Sequence, residues 1–162
     1  MIITGKVWLY NNDVNTDQIF PGKYTYSVTE QSEMAKYALE DLDPSFAKEV
    51  TKGDIIIAGK NFGCGSSREQ AVIAIKEAGV SAIIAESYAR IYFRNCINSG
   101  LRAIIVPGIS KAVKKGEEIT IDTDKGIIST SSGQFHFAPL NKQLQEILDS
   151  GGLIPYLKKK LQ

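Results

Sequence analysis

Three short apolar runs, separated by segments with helical spacing, constrain the fold of this 162-residue chain more than any other feature. The apolar residues between the runs recur every three to four positions, as they do on one face of a helix. This pattern predicts strands at 54–60, 82–86 and 103–106, and helices at 67–78 and 88–98. Strands joined in this order by helices lie parallel in one sheet. The middle of the chain is therefore predicted to be a parallel α/β unit.

The flanking segments indicate that the sheet is mixed. The stretch TGKVWLY (4–10) is rich in β-forming residues, and 117–138 contains short strands separated by Lys-Gly and Ser-Gly turns, which is typical of antiparallel pairing. Further helices are predicted at 30–42, at PSFAKEV (44–50) and at 141–149, followed by a solvated basic end. The predicted fold class is α/β, a mixed parallel and antiparallel sheet with flanking helices, in one domain spanning 1–162.

Charge and hydropathy exclude several classes of partner. The chain has 19 basic and 18 acidic side chains and a net charge of +1, so no overall field would attract nucleic acid or an anionic membrane. No apolar run approaches the ~18 residues needed to cross a bilayer, and the first residues turn polar too soon for a signal peptide. We therefore expect a cytoplasmic protein that binds proteins or small molecules, with no nucleic-acid or membrane partner.

Metal-ligating residues are few. Cys64, Cys96 and His136 are the only cysteines and histidine, and a four-ligand metal site or a disulfide framework needs more of them. We expect no cofactor and no metal to be held by this chain alone. Any metal chemistry would then belong to a partner.

The stretch NFGCGSSREQ (61–70) lies where a parallel α/β unit places its site, between the end of a strand and the start of a helix. Ser66 and Glu69 have the spacing of a helix capping box. Gly63 and Gly65 are expected to let the backbone approach a ligand closely, and free N–H groups at a helix start attract anions. An anion is therefore the expected ligand.

Known phosphate and nucleophile patterns do not match this stretch. A Walker loop needs more residues between its glycines and a lysine, and a dinucleotide fingerprint needs a glycine where Arg68 stands. Cys64 has no histidine near it in the sequence, and the serine spacing is not that of a hydrolase. Carboxylate chemistry remains, because Arg68 can bind a carboxylate through two parallel bonds while Ser66 and Ser67 supply hydroxyls. A serine here could alternatively act as a base.

The upstream stretch NNDVNTDQIFPGKYTYS (11–27) reads as a long loop, and loops of this length are usually functional. Asn11, Asp13, Asn15 and Asp17 are spaced like calcium ligands, but the glycine and glutamate of an EF-hand are absent. Hydrogen bonding within turns is the expected role of these side chains.

Three stretches in this order, NNDVNTDQIFPGKY, NFGCGSSRE and YARIYFRNCINSGL, resemble the small subunits of the aconitase-type hydro-lyases, and the isopropylmalate dehydratases above all. The resemblance covers nearly the whole chain. It implies a swivelling β/β/α domain that closes over a separate large subunit carrying a [4Fe-4S] cluster, in a heterodimer or heterotetramer. It also implies isomerisation of 2-isopropylmalate to 3-isopropylmalate by dehydration and rehydration, a step of leucine biosynthesis.

The same resemblance implies roles for individual residues. Ser66 would be the catalytic base, and Ser67 and Arg68 would bind the substrate carboxylate. Thr16 and Asp17 would approach the active centre, with Asp17 as a supporting charged residue there. The cluster iron of the large subunit would act as a Lewis acid on the leaving hydroxyl.

The segment PGKYTYS (21–27) is expected to select the substrate through its substrate-binding residues, Tyr24, Thr25, Tyr26 and Ser27. Relatives acting on homoaconitate carry an arginine at the position of Tyr26, and no arginine occurs between residues 1 and 67. Without a cation a distal carboxylate would be unpaired, so isopropylmalate is favoured. Thr25 and Ser27 depart from the usual pattern, so dimethylmalate and citramalate stay open.

Two alternatives also stay open. The chain could be a swivelling domain that binds a carboxylate or a protein without catalysis. In YARIYFRNCINSG (88–100), Arg90 and Arg94 are expected to be solvated on a packed helix, whereas the resemblance implies contact with the substrate or with a partner.

Overall fold

A computed structural model describes residues 1–162 of the chain. Its single sheet contains seven strands: β1 (Ile2–Leu9), β2 (Ile55–Ala58), β3 (Ala82–Ala85), β4 (Arg102–Ile105), β5 (Glu118–Asp122), β6 (Ile127–Thr130) and β7 (Gly133–His136). The α-helices are α1 (Thr16–Ile19), α2 (Gln31–Met34), α3 (Phe46–Glu49), α4 (Gln70–Glu77), α5 (Arg90–Asn98), α6 (Lys142–Asp149) and α7 (Leu153–Lys160). Single 3₁₀ turns cover Gly22–Tyr24, Ala35–Tyr37 and Ile109–Lys111. No helix has both the length and the apolar character needed to span a membrane.

Strand β1 joins the parallel and antiparallel parts of the sheet. The strand order is β4-β3-β2-β1-β5-β6-β7. The first part of β1 pairs antiparallel with β5, with Thr4 opposite Thr120, and its last part pairs parallel with β2, with Val7 opposite Ile55. One long strand therefore connects the α/β unit to the meander β5–β7. This topology confirms the predicted mixed sheet with flanking helices.

Both faces of the parallel strands are buried, as expected when such strands are covered on each side. Ile56 and Ile83 face the helices and belong to an apolar core of 27 residues. Ile57 and Ile84 point to the opposite face and pack in a second core of 12 residues, which includes side chains of the meander. Side chains of the meander therefore help to cover the second face of the parallel strands.

Four predicted segments differ from the structure. Helix α4 begins at Gln70, and the segment 30–42 forms only α2 and a 3₁₀ turn because Leu39 adopts a left-handed conformation (φ 57°) and donates to the carbonyl of Ile19 (2.8 Å). The loop 11–27 contains α1 and another 3₁₀ turn. The basic end forms α7, in which the apolar Tyr156 is buried. The other predicted strands and helices are confirmed, with bounds that differ by at most two residues at each end.

The hydroxyl of Tyr88 connects β3 and β4 through hydrogen bonds to the backbone of both strands. Its oxygen lies 2.8 Å from the carbonyl of Ile83 and 3.0 Å from that of Ile104, and it accepts the N–H of Ile104 (3.2 Å). The ring packs edge-on against Phe62 and Phe93. Burial raises the pKa of this phenol, so the hydroxyl stays a donor at neutral pH.

Replacing Tyr88 by Phe should lower the free energy of unfolding by about 1–3 kcal/mol, because backbone groups lose their buried partner. Tyr37→Phe is the matched control, since the hydroxyl of Tyr37 makes no hydrogen bond within the chain, and it should change stability little. Urea unfolding of both variants measures the difference. Equal stabilities would contradict the assigned role of the Tyr88 hydroxyl.

Candidate active site

A cleft of about 330 Å³ opens at the carboxyl ends of β2 and β3. One wall is the segment 63–68 and the other is the start of α5. The lining residues are Gly63, Gly65, Ser66, Ser67, Arg68, Ala89, Arg90, Ile91, Tyr92 and Asn95. This is the edge at which parallel α/β sheets bind ligands. The position predicted from the sequence for NFGCGSSREQ is therefore confirmed.

Hydrogen bonds from the upstream loop hold the wall of the cleft in place. Gly63 donates its N–H to the carbonyl of Val14 (2.7 Å), and Thr16 donates to the carbonyl of Cys64 (2.8 Å). Asn15 caps α1, accepting from the N–H of Gln18 (2.9 Å), whose side chain in turn accepts from the N–H of Asn15. A capping box is thus present at α1.

Two further polar side chains of the loop bind the same wall. Asn12 accepts the N–H of Lys60 (2.7 Å), and Asp13 accepts from the side chain of Asn61 (3.0 Å). These contacts join residues 48 positions apart, so the expected bonding within turns holds only for Asn15, while Asp13 and Asp17 bind residues of the distant wall. Their oxygens are directed at the protein's own donors.

The two glycines of the wall make room for protein atoms, which is a role that the sequence analysis did not assign to them. Gly63 has φ 82°, and a Cβ there would lie 2.1 Å from Cγ of Tyr92. Gly65 has φ 103°, and its Cβ would lie 3.1 Å from the hydroxyl oxygen of Thr16. Thr16 is only 2% exposed and supports the wall from below, outside the lining of the cleft. Left-handed backbone and close packing therefore favour glycine at both positions, which also line the cleft.

The capping box predicted from Ser66 and Glu69 does not form. Helix α4 begins at Gln70, its N-cap Glu69 is already helical, and no side chain caps it. The chain stays non-helical from Ser66 to Arg68, where the Arg68 side chain reaches the upstream loop. Ser66 and Ser67 are exposed, and their hydroxyls make no hydrogen bond within the chain. The N–H groups of residues 65–70 also donate none.

Arg68 ties the wall of the cleft to the upstream loop. Its Nη2 donates to Asp17 Oδ1 (3.0 Å) and to the carbonyl of Phe20 (2.9 Å), and its Nη1 donates to the hydroxyl of Thr25 (3.2 Å). The side chain of Arg68 is 15% exposed and that of Asp17 is 72% exposed. Three residues predicted for the site, Asp17, Thr25 and Arg68, are therefore in direct contact.

These contacts limit what Arg68 can offer a ligand. A guanidinium binds a carboxylate bidentately through Nη2 together with either Nη1 or Nε. Both Nη2 hydrogens are used by Asp17 and Phe20, so single hydrogens remain only at Nε and Nη1. The bidentate grip predicted from the sequence is unavailable while Arg68 holds the loop.

The remaining residues of the predicted substrate-selecting segment lie outside the cleft lining. The phenol of Tyr24 donates to Glu40 (3.1 Å), which raises the pKa of Tyr24, and its ring packs on Tyr37 with centroids 4.1 Å apart. Tyr26 is 93% exposed and Ser27 is also exposed. Only Thr25 of this segment contacts a residue of the cleft.

Two polar side chains of α5 line the cleft: Arg90, for which the resemblance implied contact with the substrate or a partner, and Asn95, which the sequence analysis did not single out. Arg90 is exposed and makes no ion pair, and Asn95 lies about one turn further along the helix. From its residue pattern alone, the stretch YARIYFRN indicated only a packed helix with solvated arginines. Cys64 does not line the cleft, and burial strongly raises the pKa of Cys96, which keeps this thiol protonated.

Comparison with known proteins identifies the class that this fold and cleft define. Residues 9–107 match the aconitase C-terminal domain, and the chain belongs to that family. The 3-isopropylmalate dehydratase small subunit of Moorella thermoacetica is 47% identical over 164 residues, which cover 100% of this chain and 98% of the relative. The isopropylmalate/citramalate isomerase small subunit of Methanocaldococcus jannaschii is 47% identical, covering 99% and 96%. The resemblance seen in the sequence is confirmed.

Solved structures agree with this assignment. The crystal structure of 3-isopropylmalate dehydratase from Methanocaldococcus jannaschii superimposes with a TM-score of 0.93 at 45% identity, covering 99% of this chain and 96% of that one. Aconitase X from Thermococcus kodakaraensis gives a TM-score of 0.53 at 16% identity, covering 85% and 91%, and shares the fold alone.

Gly63→Ala should be much more disruptive than Gly108→Ala. Both glycines have nearly the same left-handed φ, 82° and 80°, so both variants lose about 1–2 kcal/mol of stability to backbone strain. Only at Gly63 would the new Cβ meet Tyr92, which should cost a further 1–3 kcal/mol or so. Urea unfolding measures the free energy of unfolding of both variants. Equal losses would show that Tyr92 moves aside without a loss of stability, which would contradict the prediction.

Proposed function

We propose that this chain is the small subunit of a 3-isopropylmalate dehydratase and isomerises 2-isopropylmalate to 3-isopropylmalate together with a large subunit. Sequence identity of 47% to relatives of that name, over 99–100% of this chain, carries the proposal. The cleft adds support, because Ser66, Ser67 and Arg68 line it together.

Ser66 is the proposed catalytic base. Its hydroxyl is exposed in the cleft with no partner in the chain, and the N–H groups of residues 65–70 beside it are unpaired. Such donors stabilise negative charge on an oxygen, which a serine needs before it can accept a proton from carbon. In the proposed forward step, Oγ of Ser66 takes a proton from the carbon next to one carboxylate while the hydroxyl leaves the neighbouring carbon. Water is then added back with the opposite orientation, so that the proton goes to the carbon that lost the hydroxyl and the hydroxyl goes to the carbon that lost the proton.

Ser67, Arg68 and Asp17 are proposed to orient the substrate. Ser67 has a free hydroxyl in the cleft, and Arg68 keeps single donors at Nε and Nη1. Asp17 is 72% exposed beside the cleft, and only its Oδ1 is bound to Arg68. Its second oxygen is therefore free to contact a group supplied from the large subunit.

The proposed [4Fe-4S] cluster belongs to the large subunit. This chain has no group of three or more His, Cys, Asp or Glu side chains arranged to hold a metal, so its own residues do not fit a cluster. When bound in the partner, the cluster would supply a Lewis acid for the leaving hydroxyl. The small subunit contributes the base and the anion-binding wall, in a heterodimer or a heterotetramer.

Citramalate is the second candidate substrate. The relative from Methanocaldococcus jannaschii is named an isopropylmalate/citramalate isomerase subunit at the same 47% identity. The segment 21–27 has no arginine for a distal carboxylate, which disfavours homoaconitate. A branched or methylated malate is thus the proposed class, with isopropylmalate first.

Ser66→Ala in the complex with the chain's own large subunit should lower turnover of 2-isopropylmalate by at least roughly 100-fold, the usual contribution of a general base. Ser32→Ala is the matched control, since Ser32 is exposed on α2 far along the chain from the cleft segment. Size-exclusion chromatography checks that both variants assemble.

Two outcomes would contradict the proposal. Near-normal turnover by Ser66→Ala would remove Ser66 as the base. Absence of turnover by the wild-type complex on isopropylmalate, dimethylmalate, citramalate and homoaconitate would contradict the hydro-lyase assignment and favour a binding domain.

A further inference from the structure

We propose that Arg90 is a substrate-binding residue that pairs with one carboxylate of the malate, while Arg68 chiefly positions the loop 16–25. This inference rests on the proposed function and deepens it, because it names the cation that the dicarboxylate meets. The sequence interpretation assigned the carboxylate to Arg68.

The first step concerns the guanidinium of Arg68. It is largely enclosed and bound to three acceptors on the upstream loop, Asp17, Phe20 and Thr25. Two of these acceptors, the carbonyl of Phe20 and the hydroxyl of Thr25, are neutral groups of the loop. A bound substrate would not supply them with a new donor. Releasing the side chain to grip a carboxylate bidentately would leave the carbonyl of Phe20 without its donor, which is costly where water is excluded. Arg68 therefore serves mainly to hold the loop.

The second step concerns the guanidinium of Arg90. It lines the same cleft, it is exposed, and it makes no hydrogen bond or ion pair within the chain. All five of its N–H donors are free, so it can bind a carboxylate through two parallel bonds. No aspartate or glutamate lines the cleft to compete for it.

The third step concerns the number of charges in the ligand. A malate carries two carboxylates, and each needs its own set of donors. The unpaired N–H groups of residues 65–68 and the hydroxyl of Ser67 form one set on one wall. Arg90, at the first position of α5, forms a second set on the opposite wall. A dicarboxylate lying across the cleft thus meets a donor set at each end.

Arg90→Gln tests the assignment in the complex with the large subunit. The Michaelis constant for 2-isopropylmalate should rise roughly 10- to 100-fold, because a charge-assisted bidentate contact is lost, and turnover at saturation should fall much less. Arg90→Lys should recover part of the affinity. Arg94→Gln is the matched control, being exposed one turn further along α5 and outside the cleft, and its Michaelis constant should stay unchanged.

A binding measurement separates this proposal from the proposed function. Calorimetric titration of the complex with malate itself should show the same loss of affinity for Arg90→Gln and none for Arg94→Gln. An unchanged Michaelis constant and unchanged malate affinity overturn the proposal. So does a variant whose only defect is weaker assembly with the large subunit, since Arg90 would then be a docking residue. Failure of the wild-type complex to turn over any malate contradicts the proposed function instead.

Discussion

The candidate site depends on the side chain of Arg68, which connects the wall of the cleft to a loop about fifty residues earlier in the sequence. A guanidinium that is 15% exposed must find acceptors within the protein, because burying it unpaired would be expensive. Asp17 alone would contribute little, since an ion pair with such an exposed carboxylate is screened by water. The carbonyl of Phe20 and the hydroxyl of Thr25 add directional bonds that fix the position of the loop.

The parallel strands were predictable from the sequence, because runs such as those around Ile56 and Ile83 are buried on both faces and leave an unbroken apolar signal. The start of α4 was not predictable in this way. The pair Ser66 and Glu69 has the local pattern of a capping box, but the side chain of Arg68 bonds to the upstream loop and α4 begins only at Gln70. Local patterns cannot report a constraint that comes from a distant loop.

For the residues of the cleft too, some features were predictable from the sequence and others were not. The stretch containing Ser66, Ser67 and Arg68 was found from its unusual composition and from its position after a strand. The functions of its glycines were not predictable, because the ring of Tyr92 and the hydroxyl of Thr16 reach them only in the folded chain. The residue pattern alone left Arg90 undecided for a related reason, since an arginine on a helix has the same sequence signal whether it faces bulk water or a cleft.

The unpaired N–H groups of residues 65–70 connect the stability of the domain to its proposed chemistry. In an open cleft these groups can bond to water, so they cost little in the isolated chain. A partner that covers the cleft would remove that water, and the same groups would then become costly unless an anion replaced it. Under the proposed function, closure would therefore be favourable chiefly when a carboxylate is present. The arrangement that makes Ser66 a plausible base would in this way also couple the closing of the subunits to the binding of substrate.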